Sequence, residues 1–425
     1  MSKSKSGKMK DDAQRELKPK LRFPEFQGDA AWVEGPVSNL LNVREEKRTP
    51  TPETPLFSLT IENGVTAKSD RYNREFLVQN AKKKYKVVYP NDIVYNPSNL
   101  RWGAIAQCMT NHPVLVSPIY EVLYLSDDIK ASQEFVAKAL MRTPQIQRFI
   151  EKGEGTLVER IAVKIDDFLG TTFAYPQSRD EQQKIADCLS SLDELIAAHS
   201  RKLDALKAHK KGLMQQLFPR EGETLPRLRF PEFKDAPAWE STHLTKVADY
   251  TNGKAHEQDI SEDGQFVVVN SKFISTEGEV RKFSDEAICP AVRGDILMVL
   301  SDVPNGRAIA KCFYVDEDNR YTVNQRICKL TPTAINGDFF FYVLNRNSYF
   351  LAFDDGVKQT NLRKDAVLNC PIRCPVDPEE QDKIADTLTS ISQLIASHAE
   401  KLATLQTHKK GLMQQLFPSL ERTNA

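Results

Sequence analysis

The chain repeats itself, and the repeat limits what it can fold into. Leu21-Arg-Phe-Pro-Glu-Phe26 recurs as Leu228-Arg-Phe-Pro-Glu-Phe233, and Trp32 recurs at the same distance as Trp239. Lys210-Lys-Gly-Leu-Met-Gln-Gln-Leu-Phe-Pro219 returns unchanged as Lys409 to Pro418. Across Glu181–Pro219 and Glu380–Pro418 about two-thirds of aligned positions are identical, far above chance. The 425 residues are therefore two copies of one unit of roughly 200 residues, a duplication and not a solenoid of short repeats.

Between these markers the halves diverge but keep a skeleton. Pro90-Asn-Asp-Ile-Val94 matches Arg293-Gly-Asp-Ile-Leu297, each a turn entering an apolar strand. Gly103-Ala-Ile-Ala106 matches Arg307-Ala-Ile-Ala310, and Asp166-Asp-Phe-Leu169 matches Asp365-Ala-Val-Leu368. Short β-branched and aromatic runs such as Lys86–Tyr89, Tyr120–Tyr124 and Phe266–Val269 are bounded by Gly, Pro, Asn and Asp, a strand-and-turn composition. Helices are expected over Ser132–Glu151 and Gly337–Phe353. The fold class is α+β: two globular α/β domains in tandem, each followed by a long helix.

The long helices carry the firmest periodicity. In the first, Ile185, Leu189, Leu192, Ile196, His199, Leu203 and Leu206 fall at alternating steps of four and three, continuing through Lys210, Leu213 and Leu217. In the second, Ile384, Leu388, Ile391, Ile395, His398, Leu402 and Leu405 do the same, continuing through Lys409, Leu412 and Leu416. A heptad seam of this length specifies a partner helix, and the simplest partners are each other, as an antiparallel coiled coil. Starts are signalled at Asp180 and Pro378, ends by Pro219 and Pro418. A helix of about 37 residues is roughly 55 Å long. His199 and His398 take matching seam positions and read as a polar layer that fixes register, not as a metal pair or pH switch.

Composition excludes several classes. The chain has 40% hydrophobic and 27% charged residues, as globular proteins do. Fifty-eight basic residues balance 58 acidic ones, which argues against a nonspecific nucleic-acid coat but not against a local reader. No apolar run of membrane length occurs, and the lysine-rich start lacks the apolar stretch of a secretory signal. Seven scattered cysteines then fit reduced thiols in the cytoplasm. Cys370 and Cys374 have the wrong spacing for a zinc site, and no metal or cofactor is expected on this chain.

Catalytic constellations are missing. Phosphate-cradling and dinucleotide-binding glycine motifs are absent. Asn96-Pro97-Ser98-Asn99 shares only its first two residues with the Asn-Pro-Pro-aromatic loop of adenine methyltransferases and reads as a turn.

The repeated LRFPEF box, the GDIL-type strand entry, the Asn324-Gln-Arg-Ile-Cys-Lys-Leu330 strand, the Glu-Gln-x-Lys-Ile-Ala helix start and the KKGLMQQLF helix end together resemble the specificity subunit of type I restriction-modification systems, from about Leu21 to Pro418. The resemblance implies a non-catalytic DNA-binding subunit with two target-recognition domains, each reading half of a bipartite site. It implies two modification (methyltransferase) subunits as partners, which bind S-adenosylmethionine. Restriction (translocase-nuclease) subunits would join them and use ATP and magnesium. On this reading residues 1–20 are a disordered basic tail, 21–179 the first recognition domain and 180–219 its spacer helix. Residues 220–227 form a linker, 228–377 the second domain, 378–418 the second helix and 419–425 a tail. A coiled-coil scaffold whose globular domains bind protein is the alternative.

Candidate DNA contacts come from polar loops after equivalent strands. The first half offers Arg44, Lys47 and Arg48, then Asn96, Ser98, Asn99, Arg101 and Trp102. The second offers Asn252, Lys254 and His256, then Ser301, Asp302, Asn305 and Arg307. A third loop there holds Lys358, Gln359, Thr360, Asn361 and Arg363.

Overall fold

The computed structural model describes residues 17–67, 83–126, 128–153, 161–256, 258–303 and 307–419. The expected tail at 1–20 lies outside them up to residue 16, as does the tail at 419–425 beyond residue 419. The chain divides into two compact units, residues 1–198 with 402–425, and residues 199–401. Both divisions fall inside the long helices, so each unit owns a piece of both.

The first unit is built on a four-stranded sheet in the order Leu41–Val43, Glu121–Leu125, Ile93–Tyr95, Ile105–Gln107, all antiparallel. Ile93, Val94 and Tyr95 are fully buried, because both faces of that strand meet apolar groups. A second sheet pairs Lys47–Arg48, Tyr85–Val88 and Val114–Val116, and a hairpin joins Phe57–Thr60 to Gly64–Ala67. Val33–Pro36 pairs with Thr172–Tyr175 where the domain closes.

The second unit repeats the frame. Its four-stranded sheet runs Ala248–Asn252, Ile327–Pro332, Ile296–Val299, Cys312–Tyr314, and Glu240–His243 pairs with Pro371–Cys374. The divergent part is a five-stranded sheet centred on Phe266–Val269, which pairs in parallel with Tyr321–Val323.

The structure breaks both of the shorter helices expected to be continuous. The first is Gln133–Leu140 followed by Thr143–Lys152. Pro144 sits in the first turn of the latter, where its missing N–H costs nothing, whereas inside a continuous helix it would break the ladder. The second is Gly337–Leu344 followed by Ser348–Leu351. Arg346 lies in the left-handed region (φ 60°) between them, and the Asn347 side chain caps the new helix at the Tyr349 amide.

The long helices span Arg179–Leu217 and Pro378–Leu416, 39 residues each. The first starts one residue before the expected Asp180, with the Ser178 hydroxyl accepting the Glu181 amide; the second starts at Pro378, with Asp377 accepting the Glu379 amide. Within the first unit Ile185 and Leu189 share a core with Leu412, Met413 and Leu416, and Asp193 pairs with Lys409. Within the second, His199 meets His398, and Leu213 and Leu217 share a core with Ile384 and Leu388. In each unit, numbering rises along one helix piece as it falls along the other.

The repeated motifs meet one another. In the first unit Glu181 is buried and accepts Arg22 Nε (2.8 Å), Arg22 Nη2 (2.6 Å) and Trp32 Nε1 (3.2 Å). In the second Glu380 accepts Arg229 Nε (2.8 Å), Arg229 Nη2 (2.7 Å) and Trp239 Nε1 (3.3 Å). The KKGLMQQLF end closes each clasp: Phe417 packs against Trp32 and Phe135, and Phe218 against Trp239 and Phe339. Backbone bonds Leu21 N to Gln415 O and Leu228 N to Gln216 O are equivalent. Much of the repeat is thus used in holding each unit together.

Candidate nucleic-acid interface

In the second unit, strand direction gathers the candidate loops at one edge. Ala248–Asn252 and Ile296–Val299 both run antiparallel to Ile327–Pro332, so they end where that strand begins. Asn252 stands opposite Cys328, and Val299 opposite Ile327. Leu300 N donates to Arg326 O (2.9 Å), and Leu362 N donates to Leu300 O (2.8 Å). A two-residue ladder then pairs Ser301 with Asn361 and Asp302 with Thr360, and Gln359 Nε2 donates to Ser301 Oγ at 2.7 Å. Three segments separated in sequence, 300–301, 325–326 and 359–362, thereby line one cleft of about 430 Å³. Gly253 lets the neighbouring loop of Asn252 and Lys254 lie close to the same edge: an added Cβ would stand 2.0 Å from the Asn324 carbonyl oxygen.

Within this surface the side chains divide by role. Asn252, Lys254, Arg307, Lys358, Gln359, Asn361 and Arg363 are exposed. Asp302 instead organises its loop, accepting the amides of Val303, Ala308 and Ile309. Ser301 and Thr360 are largely buried, Thr360 donating to Asp354. The expectation for His256 is corrected: it is fully buried, with Nε2 on the Thr322 hydroxyl (2.8 Å) and Nδ1 on the Lys254 carbonyl (2.7 Å). Asn305 lies outside the described residues. Sequence reasoning missed Gln325 and Arg326, because Asn324–Leu330 read as a single strand. The strand starts at Ile327, and both preceding side chains are exposed on the cleft. A polar triplet directly before buried Ile327 and Cys328 was the available signal.

The first unit has the same edge with different chemistry. Leu41–Val43 and Ile93–Tyr95 end together, so Arg44 and the Asn96–Trp102 loop leave from one side. Arg44 is a latch: it forms two hydrogen bonds to Asp92 (2.6 and 2.9 Å) and lies over the Tyr89 and Tyr124 rings. Burial works to lower the Arg44 pKa, but the Asp92 bond and charge and the two tyrosines hold it above its ordinary value. Lys47 and Arg48 are exposed on the second sheet, Arg48 bonded to Glu46 and the Tyr89 hydroxyl. In the third loop Asn96 Oδ1 accepts the Ser98 amide, Ser98 and Asn99 are exposed, and Arg101 lies 4.6 Å over the Trp102 ring, itself 61% exposed.

Cys370 is buried, which pushes its thiol up to about 12, and Cys374 is half-buried. Among the described residues no group of three or more His, Cys, Asp or Glu is placed to hold a metal ion. No helix there is long and apolar enough to cross a membrane.

Residues 237–407 match the family model of the type I restriction modification DNA specificity domain. That stretch is similar to the specificity domain of this family. It takes in the whole polar edge of the second unit, from Asn252 to Arg363. A 253-residue stretch is 27% identical to the type I restriction enzyme MjaVIII specificity subunit of Methanocaldococcus jannaschii, covering 56% of this chain and 59% of that relative. The fold is that of the type I restriction-modification S subunit from M. genitalium, with a TM-score of 0.65 at 16% identity over 95% of this chain and 100% of the other. A chain from a structure on complex assembly and conformational transition of the type I R-M system aligns with a TM-score of 0.50 and 16% identity, over 91% and 98% of the two chains. The resemblance read from the repeated boxes stands, and with it a specificity domain on a mixed α/β frame.

Proposed function

We propose that the chain is the sequence-reading DNA-binding subunit of a type I restriction-modification complex, each unit reading one half of a bipartite site. The observation that carries this is the edge of the domain similar to that family, where three non-local segments bring the amides of Gln325, Gln359 and Asn361 and the guanidinium of Arg326 around one cleft. Amides and guanidinium groups are what base edges recognise, and a rigid frame holds them. The first unit reads with Lys47, Arg48, Ser98, Asn99, Arg101 and Trp102, on the same frame with different side chains.

The two long helices pair as an antiparallel coiled coil that sets the unread spacer and docks two methyltransferase subunits. Supporting this, Leu189, Leu203 and Leu388 of the seam are buried and Leu192, Ile196, Leu206, Ile391, Ile395, Leu402 and Leu405 are half-buried. Outside the seam, Leu195 and Leu394 stand at matching positions and are 43% and 50% exposed, one apolar side chain for each partner. The chain performs no methyl transfer. S-adenosylmethionine stays in the methyltransferase, ATP and magnesium in the restriction subunits, and the complex works in the cytoplasm.

The test is selection from a random duplex library by the full chain, followed by gel shifts at several salt concentrations. A bipartite consensus with one fixed spacer, and affinity that falls linearly in log–log against salt, is the expected result. Recovery of no consensus overturns the reading.

A further inference from the structure

Resting on that DNA-reading function, we infer that Arg326 reads a guanine in the half-site of the second unit, inside the cleft it shares with Gln325, Gln359 and Asn361. Three observations carry this. The first is placement. Arg326 comes immediately before the strand Ile327–Pro332, at the edge where Asn252 and Val299 end their strands. It therefore stands between the loop of Asn252 and Lys254 and the loop of Ser301 and Asp302.

The second is availability. Arg22, Arg44 and Arg229 each spend their guanidinium on a buried carboxylate. Arg326 is exposed, and among the described residues no ion pair or side-chain hydrogen bond holds its guanidinium; only its backbone is used, the carbonyl by Leu300 and the amide by Asn324. A planar five-donor fork with no acceptor among the described residues is matched by the O6 and N7 acceptors of guanine in the major groove.

The third is pre-organisation. The Leu300 and Leu362 amides pin the backbone on both sides of the cleft, and Ser301 fixes the Gln359 amide. Asn361 faces the same space on the paired strand. Amides beside the arginine suit an adenine next to the guanine.

The first unit supports the assignment by contrast. There Glu121 stands opposite Tyr95 as Cys328 stands opposite Met298, so its strand Glu121–Leu125 begins one position later than Ile327–Pro332. Arg326 therefore corresponds to Ile119, which is 65% exposed, and Gln325 to Pro118. Where the second unit offers an amide and a guanidinium, the first offers a proline and an aliphatic group. Two frames alike in topology thus differ at the place where two half-sites would be told apart.

The test compares the full chain with Arg326→Gln and Arg326→Lys against duplexes carrying every base at each position of the selected site. At one position of the second half-site, Arg326→Gln should lose the preference for guanine by about 10- to 100-fold, with the first half-site unchanged. Arg326→Lys, which cannot make the two-pronged contact, should keep only part of it. Equal weakening on all sequences with a shallower salt slope would make Arg326 a phosphate contact and overturn the inference. Unaltered preferences in both variants would also overturn it. If the unmodified chain selects no sequence, the DNA-reading function itself fails, which is a separate outcome. Thermal melting of each variant checks folding, and since Arg326 lends the fold only its backbone, Tm should hold.

Discussion

Arg22 with Trp32, and Arg229 with Trp239, converge on one buried carboxylate in each unit, at the first turn of a long helix. Removing one member of such a buried pair leaves the other charge without compensation, at about 3–5 kcal/mol. Glu380→Gln should therefore lower the melting temperature of the second unit by roughly 10 °C, given about 2–4 °C per kcal/mol for units of this size. Calorimetry checks this, and an unchanged Tm would remove the clasp from the account. His199 and His398 present Nδ1 to Nδ1 at 3.1 Å, so one nitrogen must carry the proton and the other the lone pair. A polar layer of this kind trades stability for register. The double variant His199→Leu, His398→Leu should melt higher and give more than one cross-linking register between cysteines placed on the two helices; a single register would show that the pair fixes nothing.

Among elements, the long helices were the most legible part of the sequence, because a heptad pattern needs no knowledge of the rest of the fold. Their off-seam leucines were not legible as special until burial separated them from the seam. Leu394→Asp, and Leu195→Asp in the same chain, should leave Tm within about 1–2 °C, as surface changes do, while abolishing co-purification of a methyltransferase subunit. Retained co-purification would move the docking face elsewhere. Shorter helices were misread where Pro144 and left-handed Arg346 interrupt an apolar pattern that continues across the break. The polar edge was half legible. Asn252, Lys254, Gln359 and Asn361 could be named as loop residues, but the ladder joining Ser301 to Asn361 spans sixty residues of sequence. Nothing local in either segment announces it. His256 was misassigned for the converse reason: its partner Thr322 lies in a strand far along the chain.

For the whole molecule, the important fact is where each unit gets its last piece. Phe417 stacks on Phe135 and meets Trp32 edge-on, so the first unit is completed by a segment from the far end of the chain. Phe417→Ala should cost the first unit about 3–5 kcal/mol and leave the second unaffected. Hydrogen exchange resolved by segment measures both; loss of protection at Phe339 or Val299 would contradict the division. Exchange of residues 37–170 for another such domain keeps Trp32, Glu181 and the closing helix end, and should change one half-site only.

This arrangement also sets an order of events on the ribosome. The second unit has all of its residues, 199–401, before Leu402–Pro418 exist. The first unit, though translated earlier, keeps Trp32 and Phe135 short of their third ring throughout that interval, with an apolar socket open to solvent. The half that is made first is the half that is finished last, and a nascent chain stalled just beyond Lys401 would hold one folded reader and one unfinished reader awaiting Phe417.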